Sequence, residues 1–450
     1  MENRHPFIRG TIILTATGLL SRLIGFYYRI FLSHTIGAEG MGIYQLIFPI
    51  YTLCFALTVF GIQTAISRFV AAGIATGNPQ RANDTFVLGT LFSLFLSFLA
   101  AVFVHENAGW IGTHFLAEPR TVPLLQLLSF SIPMGAVHTC VNAYYYALKK
   151  TEIPAISQLV EQAVRVGSSY LVYIILLSRG LSVNAFIAVI GIIAGELASM
   201  LFSALTMLLN LKKQDYMLRK IREPLATVRN IITLSMPLTC NRVLLTVLSS
   251  IDNILIPSRL RLYGLSGSDA LSLYGILSGM AMPLILFPST ITNSVSVMLL
   301  PSVAQQQALG ENARIRKTIE TTVKCCVILG VCCTAGFLVL GRFMGILLFK
   351  NETAGEFIRT LAFICPFLYL NTTLISILNG LGKTGTCFIH NVVSLCIRIL
   401  FTFFAIPIYG IKGYLWGLLL GELTMTLLNV WMLYRHTGIF SYRQKKQNVL

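Results

Sequence analysis

Charge is scarce in this chain: only 11% of its 450 residues are Asp, Glu, Lys or Arg. Soluble domains of ordinary composition carry about 25%. Too little polar surface is present to face water around a fold of this length, so a bilayer must be the main solvent. Strand-like alternation of apolar and polar residues is also missing, which argues against a β-barrel. No connector is long enough for a soluble domain; the longest lie near 105–121, 211–226 and 341–356. The ten cysteines show no metal-ligand spacing: Cys325/Cys326 and Cys332/Cys333 lie in one apolar run and the rest are scattered. No metal site is expected. H-E-x-x-H, G-x-S-x-G and paired Asp-x-Asp are absent. Gly380-Leu381-Gly382-Lys383-Thr384 looks like part of a phosphate-binding loop, but Ile377 stands where its first glycine belongs and no strand precedes it. No catalytic residue and no enzyme activity are expected.

What fills the chain instead is apolar: 55% of it, in long runs. A helix needs ~20 mostly apolar residues to cross a bilayer. Twelve runs qualify, at 8–33, 43–73, 84–104, 122–148, 154–178, 183–210, 227–257, 271–300, 319–340, 357–380, 385–407 and 411–434. The first follows Arg4 and Arg9 but is too long for a signal peptide and lacks a small-x-small cleavage site, so it reads as a retained anchor. The expected fold is all-α, integral to the membrane.

The net charge of +17 is placed rather than spread. With a cytoplasmic N-terminus and alternating spans, twenty Lys and Arg fall inside and eight outside. The inner set includes Lys149, Lys150, the 212–229 and 314–324 clusters, Lys383 and the tail; the outer set includes Arg120, Arg179, Arg259 and Lys350. This is the positive-inside asymmetry. It predicts an even number of spans with both termini cytoplasmic, affinity for anionic membrane lipids, and no nucleic-acid partner.

The halves resemble each other. Arg9 and Arg22 are matched by Arg229 and Arg242, Lys150-Thr151 with Arg165 by Lys383-Thr384 with Arg398, and Gly195-Glu196 by Gly421-Glu422, all at offsets of 220–233. Six spans per repeat give both halves the same orientation, so two lobes related by a pseudo-two-fold axis along the membrane normal are expected. The boundaries would be 1–210 for the first lobe, 211–226 for a basic cytoplasmic linker, 227–434 for the second lobe and 435–450 for a basic tail.

Charges inside the spans point to function. Each costs about 2.5–3.5 kcal/mol near mid-bilayer and needs a wet cavity or a partner. Six arginines qualify: Arg22, Arg29, Arg68, Arg165, Arg242 and Arg398. Helical spacing sets Thr11, Thr15, Gly18, Arg22, Gly25, Arg29 and Ser33 on one stripe of the first run. Ser235, Thr239, Arg242, Thr246, Ser249 and Asn253 do the same in the seventh, and Asn391, Ser394, Arg398 and Thr402 in the eleventh. Such stripes line a water-filled path or hold helices together; with no acid on the stripes of Arg22, Arg29 and Arg242, the cavity is the reading adopted there. Glu161 and Arg165 are four apart, which suits an internal ion pair. Glu196 and Glu422, and more weakly Asp252, are either proton or sodium sites or structural polar contacts. Gly37, Gly40 and Gly42 predict a tight turn between the first two runs. Pro49, Pro133, Pro237, Pro283 and Pro288 lie inside runs and mark kinks.

Arg9-Gly10-Thr11, Arg22-Leu23-Ile24-Gly25-Phe26 with Arg29, and Ile36 through Tyr44 (IGAEGMGIY) resemble the stage V sporulation protein B group. So do Ala65-Ile66-Ser67-Arg68, Gln158 with Glu161-Gln162 and Arg165, and Gly195-Glu196-Leu197-Ala198-Ser199. That group sits in the polysaccharide-exporter branch of the superfamily that also holds the MATE multidrug antiporters and the lipid II flippase. The resemblance implies alternating access, a bacterial inner-membrane location, and an undecaprenyl-diphosphate-linked sugar or peptidoglycan precursor as substrate. Cell-wall or polysaccharide synthesis enzymes would be partners, in sporulation or in general wall synthesis. Arg22, Arg29, Arg68 and Arg242, with Arg398, match a central cationic cavity. No cofactor is implied beyond Na+ or H+ coupling through Glu161, Arg165, Glu196, Asp252 or Glu422. Fourteen spans are usual in the group, against about twelve runs here, which leaves open how a lipid tail is held. The rival readings are a MATE-type cation antiporter, which would want an acidic cavity, and a membrane glycosyl polymerase, which would want a long catalytic outer loop.

Overall fold

The computed structural model describes residues 5–213, 221 and 223–437, so part of the expected basic linker and most of the expected basic tail lie outside the described residues. Among the described residues the chain is helical throughout, without strands. The elements used below are α1 (His5–Phe55), α2 (Gly61–Ala75), α3 (Pro79–Glu106), α4 (Ser131–Ala147), α5 (Glu152–Ser178), α6 (Phe186–Lys213), α7 (Pro224–Leu262), α8 (Gly267–Gly275), α9 (Ser289–Ala308), α10 (Asn312–Phe349), α11 (Cys365–Gly380), α12 (Thr384–Phe404) and α13 (Ile411–Thr437).

Ten helices among the described residues are long and apolar enough to cross a membrane, or eleven if Pro119–Ser129 and Ser131–Ala147, bent by 43°, form one span. With that bent pair counted for the expected run 122–148, the remaining difference from about twelve lies at the start. The first two expected runs merge into one stretch, Thr15–Ala75, of 61 residues. That is some three times the ~20 residues of one crossing. The stretch is interrupted at Gly37, whose φ of 69° and ψ of −175° are not helical. The expected three-glycine turn is thus a single-residue break. Gly40 and Gly42 are helical, and Gly37 alone carries the backbone conformation that a side chain would oppose.

The chain divides into two compact units, Met1–Ser250 and Ile251–Leu450, with the boundary inside α7. In the first, Ile62, Ile66, Val70, Phe86, Tyr144, Met207 and Ile231 form a buried apolar cluster. In the second, Leu299, Val303, Ile315, Ile319, Leu374 and Ile377 do so. Outward-facing surfaces are also apolar: Phe95, Phe98, Leu99 and Phe103 of α3, and Val339, Leu340, Phe343 and Leu347 of α10, are exposed. Water would punish such surfaces, whereas hydrocarbon is indifferent to them.

Two features repeat between the units. Each has a π-helical turn in a corresponding place, Ala56–Phe60 between α1 and α2 and Ile276–Ala281 after α8, 220 residues apart. Each also packs an arginine-bearing helix against a glycine pair spaced by four. A Cβ on Gly195 would lie 2.8 Å from the Glu161 carbonyl oxygen and 3.1 Å from Arg165 Cβ, and one on Gly191 would lie 2.9 Å from the Arg165 carbonyl oxygen. A Cβ on Gly421 would lie 2.9 Å from Arg398 Cγ and 3.2 Å from the Ser394 carbonyl oxygen; Gly417 packs on Phe401. Small residues one turn apart let α5 meet α6 and α12 meet α13 at near-backbone distance, the common means of joining helices in lipid. The Gly-Glu repeats are therefore first of all packing sites, and they set the glutamates beside the arginines.

Candidate functional site

In the first unit this packing assembles a buried charged cluster. Arg165 of α5 donates to Glu161 one turn earlier, and its Nη2 lies 3.8 Å from Glu196 Oε1 of α6. The same Oε1 accepts from the Tyr51 hydroxyl at 2.9 Å. The other oxygen, Oε2, is 2.9 Å from Nε2 of His138 on α4. Gly135 makes room, since a Cβ there would be 3.2 Å from Glu196 Oε2. The Glu196 and His138 side chains are only 6% and 11% exposed. Tyr44 and Arg29 lie near enough to Arg165 to interact with it. His138 Nδ1 and Arg165 Nε have no hydrogen-bond partner. One ligand atom each from His138, Glu161 and Glu196 falls within 4.8 Å of the others.

The second unit spends its polar groups differently. Arg398 donates to Asp252 Oδ2 at 2.7 Å and to the Tyr414 hydroxyl at 3.1 Å. Asp252 Oδ1 also accepts from Thr402 at 2.8 Å, and the Asp252 side chain is fully buried. Arg398 is thus a paired, half-buried cation. Glu422 Oε2 accepts from Asn371 Nδ2 at 2.8 Å. Asn371 Oδ1 accepts from Thr426 at 3.0 Å and from Asn429 at 3.5 Å, and Asn429 Oδ1 lies 2.7 Å from His390 Nδ1. The result is a connected line of side-chain amides, hydroxyls and one imidazole across α11, α12 and α13.

The remaining sequence-predicted arginines all lie in the first unit. Arg22, Arg68 and Arg242 are exposed, and Arg29 is half-buried. Arg242 stands 5.1 Å over the Phe60 ring. Phe60 closes the first π turn, and the next residue, Gly61, packs against Ser235 and Thr239 of α7. The polar stripe of the seventh run is therefore divided: Ser235 is buried in the contact with α2, while Arg242 extends from it. Cation–π contact fixes a guanidinium without neutralising it and without using its N–H donors. No carboxylate partners Arg242 among the described residues.

Sequence reasoning singled out Glu161, Arg165, Glu196, Asp252, Glu422 and the arginines, but not His138, Tyr51, Phe60, Asn371, His390 or Asn429. Gly191 with Gly195, and Gly417 with Gly421, were a readable signal for the helix pairs that bring these groups together.

Two family models match the chain: polysaccharide biosynthesis protein over residues 7–307 and lipid II flippase MurJ over residues 177–449. The stage V sporulation protein B of Bacillus subtilis is 26% identical over 430 residues, covering 95% of this chain and 83% of that protein. The lipid II flippase MurJ of the same organism is 21% identical, covering 97% and 84%. Among solved structures, an inward-facing multidrug resistance MATE family transporter of the MOP superfamily superposes with a TM-score of 0.68 at 14% identity, covering 93% of this chain and 95% of that one. That likeness identifies the fold.

Proposed function

The chain belongs to the polysaccharide biosynthesis protein family, and on that premise we propose that it is a flippase, carrying a lipid-linked anionic sugar precursor across the bilayer. Arg242 on the Phe60 ring is the observation that carries this reading: an arginine kept charged, oriented and free of a carboxylate, on a helix expected to span the membrane. An organic-cation antiporter would have the opposite need. Guanidinium forks match the two oxygens of a phosphate and never lose their charge. Arg22, Arg29 and Arg68 add positive charge in the same unit.

The proposed substrate is an undecaprenyl-diphosphate-linked sugar or peptidoglycan precursor, with its polyprenyl tail left in lipid. The chain makes and breaks no bonds in this scheme. The twenty-to-eight division of basic residues supports termini on the cytoplasmic side, with wall or polysaccharide synthesis enzymes supplying and consuming the precursor.

The test is reconstitution of the purified protein into liposomes loaded with candidate lipid-linked sugars. Headgroups reaching the opposite leaflet are counted with a membrane-impermeant reagent. Movement above protein-free vesicles is expected for a diphosphate-linked sugar, and its absence for all such lipids overturns the reading.

A further inference from the structure

We infer that the buried cluster of the first unit is a proton site, and that His138 is the group that takes the proton. The inference rests on the transport reading for its purpose but not for its chemistry. His138 has one nitrogen at ion-pair distance from an acid and one unpartnered: Nε2 lies 2.9 Å from Glu196 Oε2, itself without a hydrogen-bond donor, whereas Nδ1, buried, has no hydrogen-bond partner. An imidazole so placed keeps Nε2 beside the Glu196 carboxylate whether it carries one proton or two. Protonation therefore changes the charge of the pair without changing its geometry. The proton comes from water and returns to water, and no heavy-atom bond is altered.

The surroundings favour a proton over a metal ion. Among the described residues, the charged and titratable groups facing His138 and Glu196 are Tyr51 and Tyr44 with Arg29 on α1, and Glu161 and Arg165 on α5. Ligand atoms of His138, Glu161 and Glu196 already lie within 4.8 Å of one another, but a divalent ion among them would stand against the Arg165 guanidinium, which pairs with Glu161 and lies 3.8 Å from Glu196. Sodium prefers oxygen ligands, and the oxygen it would need, Glu196 Oε2, is covered by the imidazole.

The proton has somewhere to send its effect. With His138 charged, Glu196 has its own counter-ion and Arg165 belongs to Glu161. With His138 neutral, Glu196 depends on Tyr51 and on Arg165, which must then serve two carboxylates on two helices. α5 and α6 meet at backbone distance through Gly191 and Gly195, so redistribution of that guanidinium bears directly on their contact. Tyr51 lies on the helix that runs into the π turn ending at Phe60, the ring beneath Arg242.

Two measurements decide it. In detergent, the infrared difference spectrum between acid and neutral pH is expected to contain an imidazole signal that His138→Gln removes; a spectrum unchanged by the substitution overturns the inference whether or not the protein transports anything. In proteoliposomes with an entrapped pH dye, precursor movement in the unsubstituted protein is expected to respond to a proton gradient and to move protons with it, and His138→Gln is expected to lose both. Proton movement that persists in His138→Gln, a response to sodium at clamped pH in place of protons, or zinc or manganese binding that His138→Gln abolishes would each overturn it. Failure of any precursor to move would sink the transport reading and leave the infrared result to decide this one.

Discussion

The two units build the same scaffold and use it in opposite ways. Both set an arginine, Arg165 or Arg398, against a glycine pair and beside a Gly-Glu glutamate. In the second unit the arginine's acid, Asp252, arrives from another helix and is fully buried with two donors, and Glu422 is held by amides. That network holds both carboxylates with donors from other helices, and its unpartnered atom is Arg398 Nε, a donor that cannot take up a proton. In the first unit the acid lies one turn away on the arginine's own helix, and Glu196 faces an imidazole with a spare nitrogen. That network is open, and the same unit carries Arg22, Arg29, Arg68 and Arg242. Sequence repeats preserve a packing device; how each copy partners its charges depends on residues that do not repeat.

The largest effect that would sharpen this contrast is on stability. Asp252→Ala strands a half-buried arginine inside the helix bundle and should cost about 3–5 kcal/mol, with most of it recovered when Arg398→Met is added. Glu161→Ala should cost clearly less, because Glu196 is already 3.8 Å from Arg165. Thermal unfolding of the three purified variants measures the difference; equal losses in the two units would break the comparison.

Next comes transport. Arg242→Ala should abolish function while the protein still inserts and accumulates, and Arg242→Lys should rescue poorly, since a lysine lacks the planar fork. Loss of a charged hydrogen bond of about 1.5–3 kcal/mol weakens anion binding roughly ten- to a hundredfold. Complementation with blotting for protein level checks it, and loss of the protein itself would place Arg242 with Arg398 as a structural residue.

Smaller effects are expected at the glycines. Gly195→Ala drives a methyl into a backbone oxygen, whereas at Gly421 the nearest atom is on a flexible arginine side chain. Overpacking costs typically about 1–3 kcal/mol; the Gly195 variant should stand at the upper end and the Gly421 variant at the lower in the same melting assay. Smallest is Phe60→Leu. A cation–π contact contributes about 0.5–2 kcal/mol, so precursor KM should rise by roughly two- to thirtyfold with kcat little changed, and Phe60→Tyr should restore it.

Much of this was legible because it is local. Long apolar runs name the spans, and the four-residue step from Glu161 to Arg165 names an ion pair. A helical wheel, however, shows a helix only its own residues. Arg398 has no acid on its stripe, yet Asp252 waits 146 positions earlier in the chain. His138 is a lone histidine in an apolar run, and its partner Glu196 lies on another helix. Asn371, Asn429 and His390 carry no sequence signal as single polar residues, because their meaning comes from helices brought together by distant glycines. Gly37, Gly40 and Gly42 stood out together, but that Gly37 alone breaks the helix, with the other two left helical, depends on a backbone angle no composition reveals.

The π turn at Ala56–Phe60 has a consequence of phase. A π turn holds about one residue more than the α-helical turn it replaces, so the segments before and after it are rotated by roughly 100° from the register of an unbroken helix. One segment presents Tyr51 to Glu196; the other presents Gly61 and Ile66 to the sides of α7 and α3. A single uninterrupted rod could not address both neighbours with the same sequence. The inserted residue works as a vernier, turning one length of chain to serve the titratable cluster at one end and the arginine platform at the other.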